Sequence, residues 1–195
     1  MRIIKNISLL FLSTLLYSCS NDGKIKKEIE EMYKHKIVLP IESMAKIDHS
    51  EYIMDDVTEQ PKAHYKFVLY SDSTECSSCQ LRTIYQWNDY YYLEEAGKVN
   101  FFFILAPKAR QDDGKISPSQ IPDIGHILYV DTCNAFLHAN PHIPFNPLFH
   151  SFLLDENDSV ILVGNPVRNK KIEELFFKIL EERKDKKQKT ESNAS

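Results

Sequence analysis

Cys76 and Cys79 are the residues of this chain whose type and spacing could do chemistry together: two thiols three positions apart, preceded by Tyr65-Lys66-Phe67-Val68-Leu69-Tyr70-Ser71. An apolar, aromatic-rich run of that length reads as a strand, Asp72-Ser73-Thr74-Glu75 as a polar turn, and the segment that follows has helical spacing. Thiols at i and i+3 of a first helical turn share one face and can close a small disulfide ring with little backbone rearrangement. At a helix N-terminus the unpaired amides and the positive end of the dipole favour a thiolate, so Cys76 is expected as the nucleophile. Cys79, one turn in and more shielded, is expected to resolve the mixed disulfide. The competing reading is a structural disulfide or half of a zinc knuckle, but no second CxxC and no neighbouring histidine cluster completes a tetrahedral set.

Of the four cysteines, Cys19 has a different setting. Arg2 and Lys5 open the chain, Ile7 to Leu16 are an apolar run too short to span a bilayer, and Leu16-Tyr17-Ser18-Cys19 follows. That tetrapeptide resembles the lipobox of bacterial lipoproteins, which implies a signal peptide over 1–18 and acylation (palmitate) at Cys19. An ordinary cleaved leader or an uncleaved apolar N-terminus is the competing reading. A lipid-bearing Cys19 leaves three thiols in a compartment that permits disulfides. Cys133, after an apolar strand, is expected to be a small buried residue outside the redox pair, with a second resolving thiol as the competing reading.

The elements that must hold the pair in place follow in order. Residues 19–61 are expected to comprise a charged linker and a surface helix marked by Ile25, Ile29, Met32 and Tyr33; an edge strand is expected over 37–41 and loop over 42–62. From Cys76 a helix is expected to run to Ala96, with Leu81, Ile84, Tyr85, Asn88 and Tyr92 near one face and Gly97 as its stop. Val99 to Leu105 reads as a strand covered on both faces, so strand, helix and strand make a right-handed parallel crossover. A loop over 107–124, a strand over His126 to Val130 and a short helix over 132–139 come next. Beyond the proline-punctuated loop of 140–147, Ser151 to Leu154 and Val160 to Val163 read as a hairpin about Asp155-Glu156-Asn157-Asp158. Ile172, Leu175, Phe176, Ile179 and Leu180 form the stripe of a terminal helix. Residues 184–195, polar and charged, are expected to be disordered.

A net charge of −4 and the lack of a basic stripe argue against nucleic acid as a partner. A hydrophobic content of 43% is enough for a core.

This order of elements is that of the thioredoxin fold. With Ser73-Thr74-Glu75-Cys76-Ser77-Ser78-Cys79, Phe152-Leu153-Leu154-Asp155 and Gly164-Asn165-Pro166, the chain resembles the TlpA-like thiol-disulfide oxidoreductases, in particular their small bacterial lipoprotein branch, over residues 62–183. The resemblance implies an α/β fold with a central mixed sheet flanked by helices. It also implies a membrane-tethered, periplasm-facing oxidoreductase of a Gram-negative envelope, acting as reductant or electron relay on protein or small-molecule thiols and disulfides. A redox-active disulfide is the only cofactor implied.

Against that family's pattern the chain has Glu75 in place of Trp and Ser77-Ser78 in place of Gly-Pro. Tyr70 stands where the family has a buried acid, and Phe149 or His150 where it has a cis-proline. The Glu75 charge opposes the helix dipole at Cys76. Phe149 and His150 are therefore the expected substrate-positioning residues. Loss of the proline also opens an alternative, a Cys76/Cys79/His150 site for a soft metal such as Cu(I). A non-catalytic scaffold or sensor is the third reading.

Overall fold

The computed structural model describes residues 23–48, 51–53, 63–72, 77–107 and 124–192, with backbone alone for 51–53, 77–80 and 183–192. The expected signal peptide, Cys19, Cys76 and nearly all of the 107–124 loop lie outside the described residues. No helix among the described residues is long and apolar enough to cross a membrane.

The two longest strands, β3 (Tyr65–Ser71) and β4 (Val99–Leu105), run parallel in full register from Tyr65 opposite Val99 to Ser71 opposite Leu105. Their near-continuous apolar sequence is explained by cover on both faces: all seven residues of β4 and six of seven in β3 are buried. Around this pair a seven-stranded mixed sheet forms in the order β2-β1-β5-β4-β3-β6-β7. Here β1 is Ala45–Asp48, β2 Glu51–Ile53, β5 Leu128–Val130, β6 Ser151–Leu154 and β7 Val160–Val163. β5 continues the parallel part, whereas β6 lies antiparallel to β3 and β7 to β6. The hairpin between β6 and β7 is set by Asp155, whose Oδ1 accepts the N–H groups of Asn157 and Ser159, and by Asp158 at φ 64.

Alternation along β3 sorts its side chains between two cores. Tyr65, Phe67 and Leu69 face α2 (Ser77–Tyr85), α3 (Tyr91–Glu95) and α5 (Lys170–Ser192), burying Leu81, Trp87, Leu93, Phe176 and Leu180. Val68 and Tyr70 face α1 (residues 23–32), α4 (Ala135–Ala139) and the loop before β6, burying Met32, Phe136, Phe149 and Phe152. α5 is bound to the segment between α2 and α3 by Tyr90, whose hydroxyl donates to Glu173 Oε1 at 2.6 Å. Burial, followed by that carboxylate, raises the phenol's pKa.

Several expectations are corrected. The helix after the CxxC is not continuous: α2 gives way to a 3₁₀ turn over Gln86–Tyr90 and then to α3. The buried apolar residues are Leu81, Ile84, Trp87, Tyr90 and Leu93, whereas Tyr85 and Tyr92 are exposed. An every-third-residue stripe drifts by about 60° per step on an α-helix and stays aligned only where the turn tightens to three residues. Gly97 ends α3 at φ 61, as expected.

The expected edge strand over 37–41 is instead an extended arm ending in a 3₁₀ turn at Ile41–Ser43, with a single bridge from Lys36 to Ser159. Val38 finds its backbone partners in a side chain: its N–H donates to Asn140 Oδ1 and its carbonyl accepts from Asn140 Nδ2, both at 2.8 Å. The region expected as loop contains the β1–β2 hairpin, too short to register as alternation. α5 runs to Ser192, through the charged stretch expected to be disordered, because Lys and Glu are good helix formers once a packed helix supplies the nucleus.

Candidate active site

Ser71 ends β3, Ser77 begins α2, and Cys79 lies in the first turn of that helix. Cys79 therefore belongs to the helix that follows β3, the strand at which the sheet changes from parallel (β4) to antiparallel (β6). Of the pair, Cys79 is described by its backbone only. Positions 79 and 83 share a face of α2.

The loop before β6 closes the C-terminal end of β3. Tyr70 N–H donates to the His150 carbonyl at 2.8 Å, one step beyond the Leu69–Ser151 pair, so the residue before β6 sits opposite the end of β3. Phe149 and His150 are both buried. The His150 ring does not face α2: its Nε2 donates to the Pro144 carbonyl at 2.9 Å and it meets the Tyr70 ring edge-on at 5.2 Å, in the core on the opposite side of the sheet. No described peptide bond is cis. Among the described residues no group of three His, Cys, Asp or Glu could hold a metal.

Asn146, Pro147 and Leu148 of this loop and Ser151 at the start of β6 open towards α2, and they were not singled out from sequence. They line a cleft of about 470 Å³ whose other wall is the turn after β7 and the start of α5. Leu69 and Ile172 give it an apolar floor, and Thr83 brings it to the helix that carries Cys79. At Gly164 (φ 125) the backbone comes bare to the cleft; a Cβ there would meet Ile172 Cγ1 at 3.1 Å. Arg168 reaches across from the turn after β7, its Nη2 donating to Thr83 Oγ1 at 2.7 Å.

Three asparagines in the lining have a common job. Asn146 and Asn165 each precede a proline and open a 3₁₀ turn, Oδ1 accepting from Leu148 N–H (3.1 Å) and Val167 N–H (3.0 Å). Asn169 opens α5 by accepting from Lys171 N–H (3.0 Å). The repeated Asn-Pro doublet and an Asn just before a Lys/Glu-rich helix are the sequence signals that could have marked these positions.

Cys133, expected to be buried, is exposed and free. The reason is Asp131, which takes the buried place and caps α4 by accepting the N–H groups of Ala135 and Phe136, both at 2.9 Å. Residues 132–134 are pushed outward over that cap, with Asn134 at φ 54.

No family model matches the chain, and no curated protein matches it. Among solved structures it is similar to a domain of a possible thiol-disulfide isomerase from Cytophaga hutchinsonii, at 21% identity over 75% of this chain and 90% of that one, TM-score 0.42. A candidate thiol:disulfide interchange protein DsbE from Chlorobium tepidum is similar at 16% identity over 70% and 92%, TM-score 0.46. A thioredoxin-like protein in the oxidized form, solved in solution, is similar at 18% identity over 70% and 92%, TM-score 0.44. The fold class follows from the chain's own strand order: β4-β3-β6-β7, with a helical crossover between β3 and β4 and a helix after β7, is thioredoxin-like.

Proposed function

We propose that this chain is a thiol-disulfide oxidoreductase working through Cys76 and Cys79 as a reductant or electron relay, on protein or small-molecule disulfides. The observation that supports the reading is the position of Cys79: the first turn of α2, which follows β3 and borders an open cleft at Thr83. In the reaction the Cys76 thiolate attacks one sulfur of a substrate disulfide, a mixed disulfide forms and the first substrate thiolate leaves and takes a proton. The Cys79 thiolate then attacks the Cys76 sulfur and releases the second substrate thiolate. The substrate gains two electrons, the pair becomes a disulfide, and an external dithiol restores it. No further cofactor is required. The chain's beginning supports placement outside the cytoplasm on a lipid anchor at Cys19, with the signal peptide over 1–18, the linker and first helix within 19–61, and the redox domain over 62–183.

The test is reduction of a protein disulfide by the purified chain under a dithiol supply, against Cys76→Ser. Loss of activity in the variant by two orders of magnitude or so is expected for removal of a covalent nucleophile. Equal rates for the two proteins would reduce the fold to a scaffold role.

A further inference from the structure

The geometry points to the cleft beside α2 as a selective site for an acidic peptide segment, with Arg168 pairing to its carboxylate and the asparagine amides receiving its backbone carbonyls. This rests on the redox reading for its use, since it names the class of disulfide partner that would be served, but the site itself is built from described residues alone.

Each polar group of the lining has a definite hydrogen-bonding capacity left to give. An asparagine has an acceptor, Oδ1, and two donors on Nδ2. At Asn146, Asn165 and Asn169 a backbone N–H occupies Oδ1, and only an oxygen can accept from an N–H, so the orientation of all three amides is set. With Oδ1 turned to the backbone, the Nδ2 group at each keeps a pair of donors. Arg168 is donors throughout, and with Nη2 on Thr83 the rest of its guanidinium has no carboxylate partner among the described residues. No acidic residue is among the described lining, and Arg168 is its one charged member.

A space of about 470 Å³ lies within the range that holds a small ligand or a few residues of an extended chain. Its rim adds the second half of the specificity. Leu148, in the lining, is 72% exposed. The occupant that satisfies donors inside and an apolar side chain at the rim is an extended segment with a carboxylate next to a hydrophobic residue. The chain as a whole has a net charge of −4, so long-range repulsion opposes such a partner and the preference must come from the local donors.

The experiment uses two cysteine-free synthetic peptides that differ only in Asp against Asn next to a leucine. Each is titrated into the full chain carrying Cys76→Ser and Cys79→Ser, with binding followed by fluorescence anisotropy. The Asp peptide should bind about fivefold more tightly, the size of one partly exposed charge-assisted contact. Arg168→Gln should abolish the preference. Asn165→Asp keeps an oxygen to cap its turn but replaces two donors by a negative charge, so it should lower Asp-peptide affinity while leaving the thermal midpoint in place. Equal binding of the two peptides, or a preference untouched by both substitutions, overturns the proposal. Preference without any disulfide reduction by the unsubstituted chain removes the redox reading and keeps the site; reduction without preference does the reverse.

Discussion

Buried His126, paired with the partly buried Glu94, shows what a single residue must do to hold the wall of α2 and α3 against the sheet. His126 has a fully buried side chain between the rings of Phe101 and Phe103, with centroids 5.0 Å away, and Nε2 donates to the Trp87 carbonyl at 3.1 Å. Its Nδ1 lies 2.8 Å from Glu94 Oε2. Glu94→Ala would strand a buried imidazole nitrogen and should cost about 3 kcal/mol, read as a lower urea midpoint, whereas Glu94→Gln keeps an acceptor and should recover much of that loss. Equal costs for the two would show that the side chain matters here only by its bulk. At this scale the sequence was legible for residues whose role is fixed by neighbours along the chain, such as Gly97 and the Asp155 turn. It was not legible for Tyr85, Phe149, His150 or Cys133, whose burial is decided by what other elements bring to them. Asp131 displaces Cys133 from the core only because α4 needs a cap.

At the scale of the element, the turn after β7 couples strand, cleft and terminal helix. Gly164 at φ 125 has Ile172 of α5 pressed against the place where a side chain would begin. Gly164→Ala therefore combines an unfavourable backbone conformation with a displaced helix, and should destabilise the fold by about 2 kcal/mol. A melt by circular dichroism checks it; a midpoint unchanged from the parent chain would mean that α5 shifts at no cost. β3, β4, β6, β7 and α5 could all be read from the sequence because their periods are long or their runs continuous. The β1–β2 hairpin was missed because three or four residues carry no period, and the 3₁₀ turn at Gln86–Tyr90 because a stripe of every third residue mimics a helix until its drift is followed through Leu93.

For the whole molecule, the segment before β1 acts as a clasp. Met32 and Ile37 are buried in the core opposite α2, Asn140 serves as the backbone partner of Val38, and His35 stacks on His142 at 4.7 Å. Burial first, then the charge of His35, lowers the His142 pKa, with Glu31 opposing. On acidification the unfolded chain takes up this proton before the folded one, so the stability is whole above the ordinary histidine pKa of about 6.5 and declines below it. The urea midpoint should fall further between about pH 7.5 and pH 5 in the parent chain than in His142→Gln. Parallel profiles would place the acid sensitivity elsewhere.

The three asparagines that open the turns around the cleft have a last consequence. Side-chain amides elsewhere can rotate end for end and greet a donor as readily as an acceptor. Here the oxygen end of each one supports the start of a turn or helix, and rotation would leave backbone N–H groups facing an NH₂. Turning these amides round to meet an ammonium group would therefore mean letting go of the start of α5 and of the turns beside β6 and β7. Discrimination against cationic segments is inherited from the stability of the fold itself.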